Sequence, residues 1–242
     1  MRFRNSTIVV LLWLCVPHSA SAQNWQWAIS ERLTRERVAG LLNLPEIVGT
    51  DCAPSHSGRV ALYAGPSTGK LPIGFIERAR NGECQILARV GKQTEEQLPT
   101  DESTYDLPAA IVFQRAGPWF RIALQRGSAW VRRDEPRDFL SYPQLLKNGL
   151  AYVRDGWGAK LWETPGATVA ARLPSKWQSY AGQNVPMTFL GFRRVADRLW
   201  IHVRVETESC GESLEGVKPV AGWIRAYRPN GEPAAWFYAR GC

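Results

Sequence analysis

From Gly58 onward, short runs of β-branched and aromatic residues alternate with clusters of Gly, Pro, Asn and Asp. That texture predicts an all-β chain. "RVALYAGPS", "PIGFIER", "CQILARV", "AAIVFQR", "WFRIALQ" and "SAWVRR" each read as a strand bounded by turn residues. The acidic, polar stretch Gly91 to Pro108 interrupts them and reads as a solvated loop. "PRDFLSYPQLLKNG" reads as a connector holding one helical turn. Before Gly58 the period changes. Ile29, Leu33, Val38, Leu41 and Leu42 form an apolar stripe at helical spacing, with Ser30 placed to cap it and Pro45 to stop it. This predicts one N-terminal helix packed on the first β unit.

The pattern then starts again. "VALYAGP" (Val60 to Pro66) lines up with "AKLWETP" (Ala159 to Pro165), "WFRIAL" (Trp119 to Leu124) with "WIHVRV" (Trp200 to Val205), and "AWVRR" with "GWIRA". The offsets are 99, 81 and 93 residues, in the same order along the chain. Ordered matches separated by loops of varying length are what a duplicated domain leaves behind.

A strand ending in a Pro turn, a later tryptophan strand and then a "G-W-[VI]" type of strand resemble the bacterial Src-homology-3-like (SH3b) domain. The resemblance covers Gly58–Arg133 and Gly158–Tyr227 and pairs Trp119 with Trp130, and Trp200 with Trp223. It implies two small SH3-like β-barrels in tandem, over 58–140 and 158–242. A lead-in at 23–57 would precede them, a linker at 141–157 would join them, and an extra C-terminal hairpin would turn at Pro229-Asn230-Gly231. The first strands lack the "N-[VL]-R" signature common in that family, and the loops Gly91–Pro108 and Glu206–Val220 are long. Large amphipathic tryptophans suit such barrels, because a thin core needs wide covers.

The extreme N-terminus sets the compartment. Arg2 and Arg4, the apolar run Ile8 to Val16, Pro17 and then Ala20-Ser21-Ala22 form a secretory signal peptide over 1–22. A lipoprotein anchored through Cys15 is the rival reading, but Leu14 stands where a small residue is needed. No other run reaches the length of about 20 apolar residues that a membrane-spanning helix needs. A periplasmic or secreted protein is expected. Its formal charge of +8 falls to +6 without the leader's two arginines, and no Lys/Arg run suggests nucleic acid. Cys52, Cys84, Cys210 and Cys242 follow the leader. An even number in an oxidising compartment predicts two disulfides, most simply Cys52–Cys84 and Cys210–Cys242, each contributing about 3 kcal/mol. No C-x-x-C spacing supports zinc.

The chemistry-bearing residues are sparse. His56 and His202 follow the leader, and no G-x-S-x-G elbow accompanies them. His202 alternates to the outer face of its strand. "GPSTGK" (Gly65 to Lys70) lacks phosphate-loop spacing and reads as a turn. Glu95, Glu96, Asp101 and Glu102 belong to the acidic loop. No catalytic residue, metal ligand or cofactor is assigned. Tyr63, Trp157, Trp162 and Trp177, near turns and strand ends, and Arg132 and Arg225 are the candidate ligand-binding residues. The tryptophans could stack on sugar rings, and the arginines, with Arg133, could meet carboxylates. The expected function is non-catalytic binding of a cell-envelope component, and the resemblance implies peptidoglycan. The alternatives are a scaffold for an envelope protein partner and an unrecognised cell-wall hydrolase.

Overall fold

Ala109, Ala110, Ile111, Val112 and Phe113 are all buried, and they sort by parity into two cores. Ala110 and Val112 enter one, and Ala109, Ile111 and Phe113 enter the other. A strand sends alternate side chains to opposite faces, so an unbroken apolar run marks a sheet covered on both. The computed structural model describes residues 37–48, 58–79, 85–92, 95–105, 107–209 and 212–240.

Among the described residues, the first half comprises ten strands: β1 (Gly40–Leu42), β2 (Arg59–Leu62), β3 (Gly74–Arg78), β4 (Ile86–Val90), β5 (Glu96–Gln97), β6 (Thr100–Thr104), β7 (Leu107–Ala116), β8 (Trp119–Leu124), β9 (Gly127–Arg132) and β10 (Phe139–Ser141). Helix α1 (Tyr142–Asn148) follows. The second half comprises β11 (Leu150–Val153), β12 (Lys160–Leu161), β13 (Ala171–Arg172), the single turn α2 (Ser175–Gln178), β14 (Val185–Val195), β15 (Arg198–Val205), β16 (Glu208–Ser209), β17 (Glu212–Ser213), β18 (Val220–Arg225) and β19 (Ala235–Tyr238). Every pairing among them is antiparallel.

Two sheets share one strand order. The first runs β10-β1-β7-β8-β9, with β6 added on β7, and the second runs β19-β11-β14-β15-β18. The three matched sequence segments occupy corresponding places. Tyr63 forms an isolated bridge to Trp130, and Trp162 forms one to Trp223. Trp119 lies opposite Arg132, and Trp200 opposite Arg225. A register shift interrupts the long hairpin of each sheet, between Val112 and Gln114 and between Phe189 and Gly191. The first half has a further four-stranded sheet, β2-β3-β4-β5, where the second half has only the two-stranded β12-β13 and β16-β17 among the described residues, and its Val60, Leu62, Ile76, Ile86 and Ala88 fill the core behind Val112 and Phe120.

The other face of the first sheet joins the core of the second half. Leu41, Ile111 and Phe113 pack in one cluster with Val185, Ile201 and Trp236. The stretch 141–157, which joins the matched segments, carries α1 and β11, and its Tyr142, Leu145, Leu146, Ala151 and Val153 are buried there. The Ser141 amide at the start of α1 donates to Gln144 Oε1 at 2.9 Å. Tyr142 Oη donates to the Ala235 carbonyl at 2.7 Å, and Tyr227 Oη to the Val38 carbonyl at 2.6 Å.

The expectation of an N-terminal helix is corrected where it can be compared. Residues 37–48 hold no helix, and Gly40–Leu42 is a strand between β7 and β10. Leu41 and Leu42 are both apolar because each faces a different core, and that adjacency imitates a helical stripe. The acidic stretch is also more ordered than its composition suggests. It contains β5 and β6, with Asp101 and Ser103 buried. The Pro229-Asn230-Gly231 turn is present, with Tyr227 bridged to Pro233, and the chain beyond it closes the second sheet as β19. No helix among the described residues is long and apolar enough to cross a membrane. The signal peptide, Ser30, Cys52, His56, Cys84, Cys210 and Cys242 lie outside the described residues.

Candidate functional site

Alternation along β15 sends Ile201, Val203 and Val205 into the core and places Trp200, His202 and Arg204 on the opposite face. On β18, Trp223 and Arg225 lie beside them, His202 opposite Trp223 and Trp200 opposite Arg225. The His202 and Trp223 rings stack at 4.7 Å with planes 13° apart. Trp162 joins the row through paired backbone hydrogen bonds to Trp223, of 2.8 and 2.7 Å. Its ring stands edge-on to Trp200 at 5.4 Å. The Arg225 guanidinium sits 5.7 Å from the Trp162 ring centre and 5.8 Å from that of Trp200. Close approach here needs Gly222, since a Cβ on it would lie 2.7 Å from Leu161 Cβ. The indole N–H groups of Trp162 and Trp200 are buried without an acceptor among the described residues.

The first half builds a matching corner with different chemistry. Tyr63 pairs with Trp130 through two 2.8 Å backbone bonds and stands edge-on to Trp119 at 5.1 Å. Arg121 takes the place that His202 holds in the second copy, opposite Trp130. Arg132 takes the place of Arg225, but its guanidinium is paired with Asp134 at 3.0 Å. Asp134 stands two residues after Arg132, and Tyr227 two residues after Arg225.

Four of the six candidate residues therefore fall at the two corners: Tyr63 and Arg132 at one, Trp162 and Arg225 at the other. The other two meet elsewhere. Trp157 and Trp177 are edge-on at 6.0 Å, Trp157 Nε1 donates to the Tyr180 carbonyl at 3.0 Å, and Trp177 is buried in the core. Arg133 is engaged within the fold, bonding Glu46 and, at 2.6 Å, Asp138.

Next to Arg225 lies a cavity of about 300 Å³ that residue-by-residue reading did not find. Arg37, Arg198, Arg225 and Arg228 line it around Tyr227. Burial pushes the Tyr227 phenol up to about 12, against the pull of Arg37 and Arg194, so it is neutral at physiological pH. Arg37, Arg198 and the Arg225/Arg228 pair come from three segments far apart in sequence. The available signal was the alignment of the two copies, in which Tyr227 stands where Asp134 does. Among the described residues, no three His, Cys, Asp or Glu side chains converge as metal ligands do. No family model, no curated protein and no solved structure matches the chain.

Proposed function

We propose that this chain is an exported, non-catalytic binding protein whose two Src-homology-3-like units hold a cell-envelope component, with peptidoglycan as the ligand. The observation that carries this reading is the half-exposed aromatic row Trp162–Trp223–His202, with Arg225 at its side. Gly191 lies opposite His202 on the next strand, so no side chain closes the row there. Flat rings of this kind stack on sugar faces and cover peptide backbones, and an exposed guanidinium meets stem-peptide carboxylates. Export and the resemblance direct the choice among such ligands to the cell wall. Pull-down with purified sacculi tests it. The mature protein is expected to be retained at low salt, and Trp223→Ala to lose most of that retention. A wild-type protein that stays in the supernatant would overturn the reading.

The scaffold reading has its own observation. The β14–β15 hairpin leaves Leu190 and Phe192 exposed, at 43% and 58%. Exposed apolar side chains of this size suit a protein partner. In-cell crosslinking from position 192 to one defined envelope protein, without sacculus binding, would favour it.

A further inference from the structure

We propose that the cavity lined by Arg37, Arg198, Arg225 and Arg228 is a binding site for a phosphoryl group. The arginines come from the lead-in, the start of β15, the end of β18 and the turn that follows it. Among the described residues, only Arg228 of the four has carboxylate partners, Asp155 at 3.3 Å and Glu232 at 3.6 Å. Arg37 donates to the Asp197 carbonyl at 3.1 Å and lies 5.8 Å from the Tyr227 ring centre. Arg225 is held by the faces of Trp162 and Trp200. Among the described residues, Arg37, Arg198 and Arg225 form no ion pair with a carboxylate. Carbonyls and ring faces orient a guanidinium without neutralising it.

The first half shows that this charge is not a requirement of the fold. There Asp134 quenches the matching arginine, and the first hairpin turns at Gly117-Pro118 directly before Trp119, whereas the second runs on before Trp200 to Arg198. The second copy replaces the quenching acid with the phenol of Tyr227 and adds a cation. Tyr227 Oη is already committed to the Val38 carbonyl, and burial keeps it neutral. The cavity therefore presents donors and positive charge.

Charge and shape choose the ligand class. A carboxylate offers one negative charge and two oxygens. A phosphate monoester carries about −1.5 to −2 at neutral pH and three strong acceptor oxygens, which suit three unneutralised guanidinium forks. The volume of about 300 Å³ is at the lower end of ligand pockets and admits a phosphoryl group with a small carrier. The group could be borne by a soluble phosphorylated sugar or by a phospholipid headgroup, and the chemistry recognised is the same.

Calorimetric titration of the full mature chain with glucose 1-phosphate, with acetate, and with vesicles of phosphatidylcholine with or without phosphatidic acid separates these outcomes. Binding of glucose 1-phosphate, or binding confined to phosphatidic acid vesicles, supports the site and identifies the carrier as soluble or lipid. Arg198→Ala, an exposed change, should weaken whichever binds about tenfold, as loss of one charged hydrogen bond does. Tyr227→Asp, which restores the first-half arrangement, should abolish binding, with near-ultraviolet circular dichroism reporting that the fold is kept. The proposal is overturned if neither phosphate ligand binds, if acetate binds as tightly, or if Arg198→Ala leaves the affinity unchanged. Sacculus retention in the same variants is a separate measurement, so failure here is distinguishable from failure of the envelope-polymer reading.

Discussion

The two corners differ where the fold does not constrain them. Both bridge an aromatic residue to the last sheet strand, stand that ring edge-on to a buried tryptophan, and set an arginine opposite that tryptophan. These features follow from backbone pairing and from burying alternate side chains, so they recur. The face away from the core is under no such demand. There one copy neutralises itself through Arg132 and Asp134, while the other leaves Arg225 over two indoles beside further arginines. Within a shared frame, the first copy neutralises its corner arginine and the second leaves its own unneutralised beside a cavity.

The sharpest way to break the comparison is at Arg133. It is largely buried and bonds Glu46 and Asp138, whereas the position matching it in the second copy is the fully buried Ala226. The first half fastens this point with ions and the second with packing. Arg133→Ala would leave two carboxylates without their cation, and the expected cost is roughly 3–5 kcal/mol in urea unfolding. A loss below about 1 kcal/mol would place the cluster with exposed surface pairs, and the contrast with Ala226 would fail.

A second asymmetry lies in β6, which has no counterpart in the other sheet among the described residues. Its Asp101 accepts from Trp236 Nε1 at 2.8 Å, and its Glu102 binds Arg240 through both oxygens at 2.9 and 2.6 Å, so the acidic strand clamps β19 and the turn beyond it. Burial pushes the Asp101 carboxyl up from 3.8 to about 7, against the lowering bonds from Trp236 and the Glu102 amide. Because the folded value is the higher one, folding favours the protonated form. That stability is fully present below about pH 4 and is lost as pH rises through 7. Each pKa unit is worth about 1.4 kcal/mol, which puts the loss on the order of 4 kcal/mol. Asp101→Asn removes the titration while its amide oxygen can still accept from Trp236. Relative to wild type, the variant should match near pH 4 and become the more stable by pH 7.5 in urea midpoints. A difference that stays flat with pH would sink the assignment.

This clamp also shows where sequence reading reached its limit. The central strands β7, β8 and β15 are legible, because "AAIVF", "WFRIAL" and "WIHVRV" carry their burial in apolar runs or strict alternation, whereas β10 and β11 lie in stretches that read as connector and linker, and β14 carries no such signal. The matches at 99, 81 and 93 residues were legible too, and the structure puts Tyr63 and Trp162 at equivalent bridges. Asp101 and Ser103 looked like solvated loop because what orders them is distant in sequence. Trp236 lies 135 residues from Asp101, and Asn43 lies 60 from Ser103, with a hydrogen bond of 2.6 Å. β1 is not legible because three residues are too few to show a period, and two adjacent leucines serving two cores look helical. The arginine cavity draws on three separate segments, so charge counting along the chain cannot find it. Of the six candidate residues, Trp162 and Arg225 lie beside it, while Trp157 and Trp177 pack against each other.

The smallest expected effect is also the cleanest comparison of the two copies. Both long hairpins turn on two residues, Gly117-Pro118 in the first and Ala196-Asp197 in the second. Gly117 has φ +60° and Ala196 φ +52°, so both copies turn through the left-handed region, one with glycine and one without. A side chain there costs about 1 kcal/mol or slightly more, from the crowding of Cβ against the following carbonyl. Ala196 is exposed, and nothing lies within 4 Å of a Cβ built on Gly117, so neither site adds a packing contribution. Ala196→Gly should therefore stabilise the chain, by about 0.5 kcal/mol once the greater freedom of glycine in the unfolded state is subtracted. Gly117→Ala should destabilise it by a similar amount. Thermal unfolding of the pair settles the point: opposite signs mean that the two turns share one conformation, and a destabilising Ala196→Gly would mean that they do not.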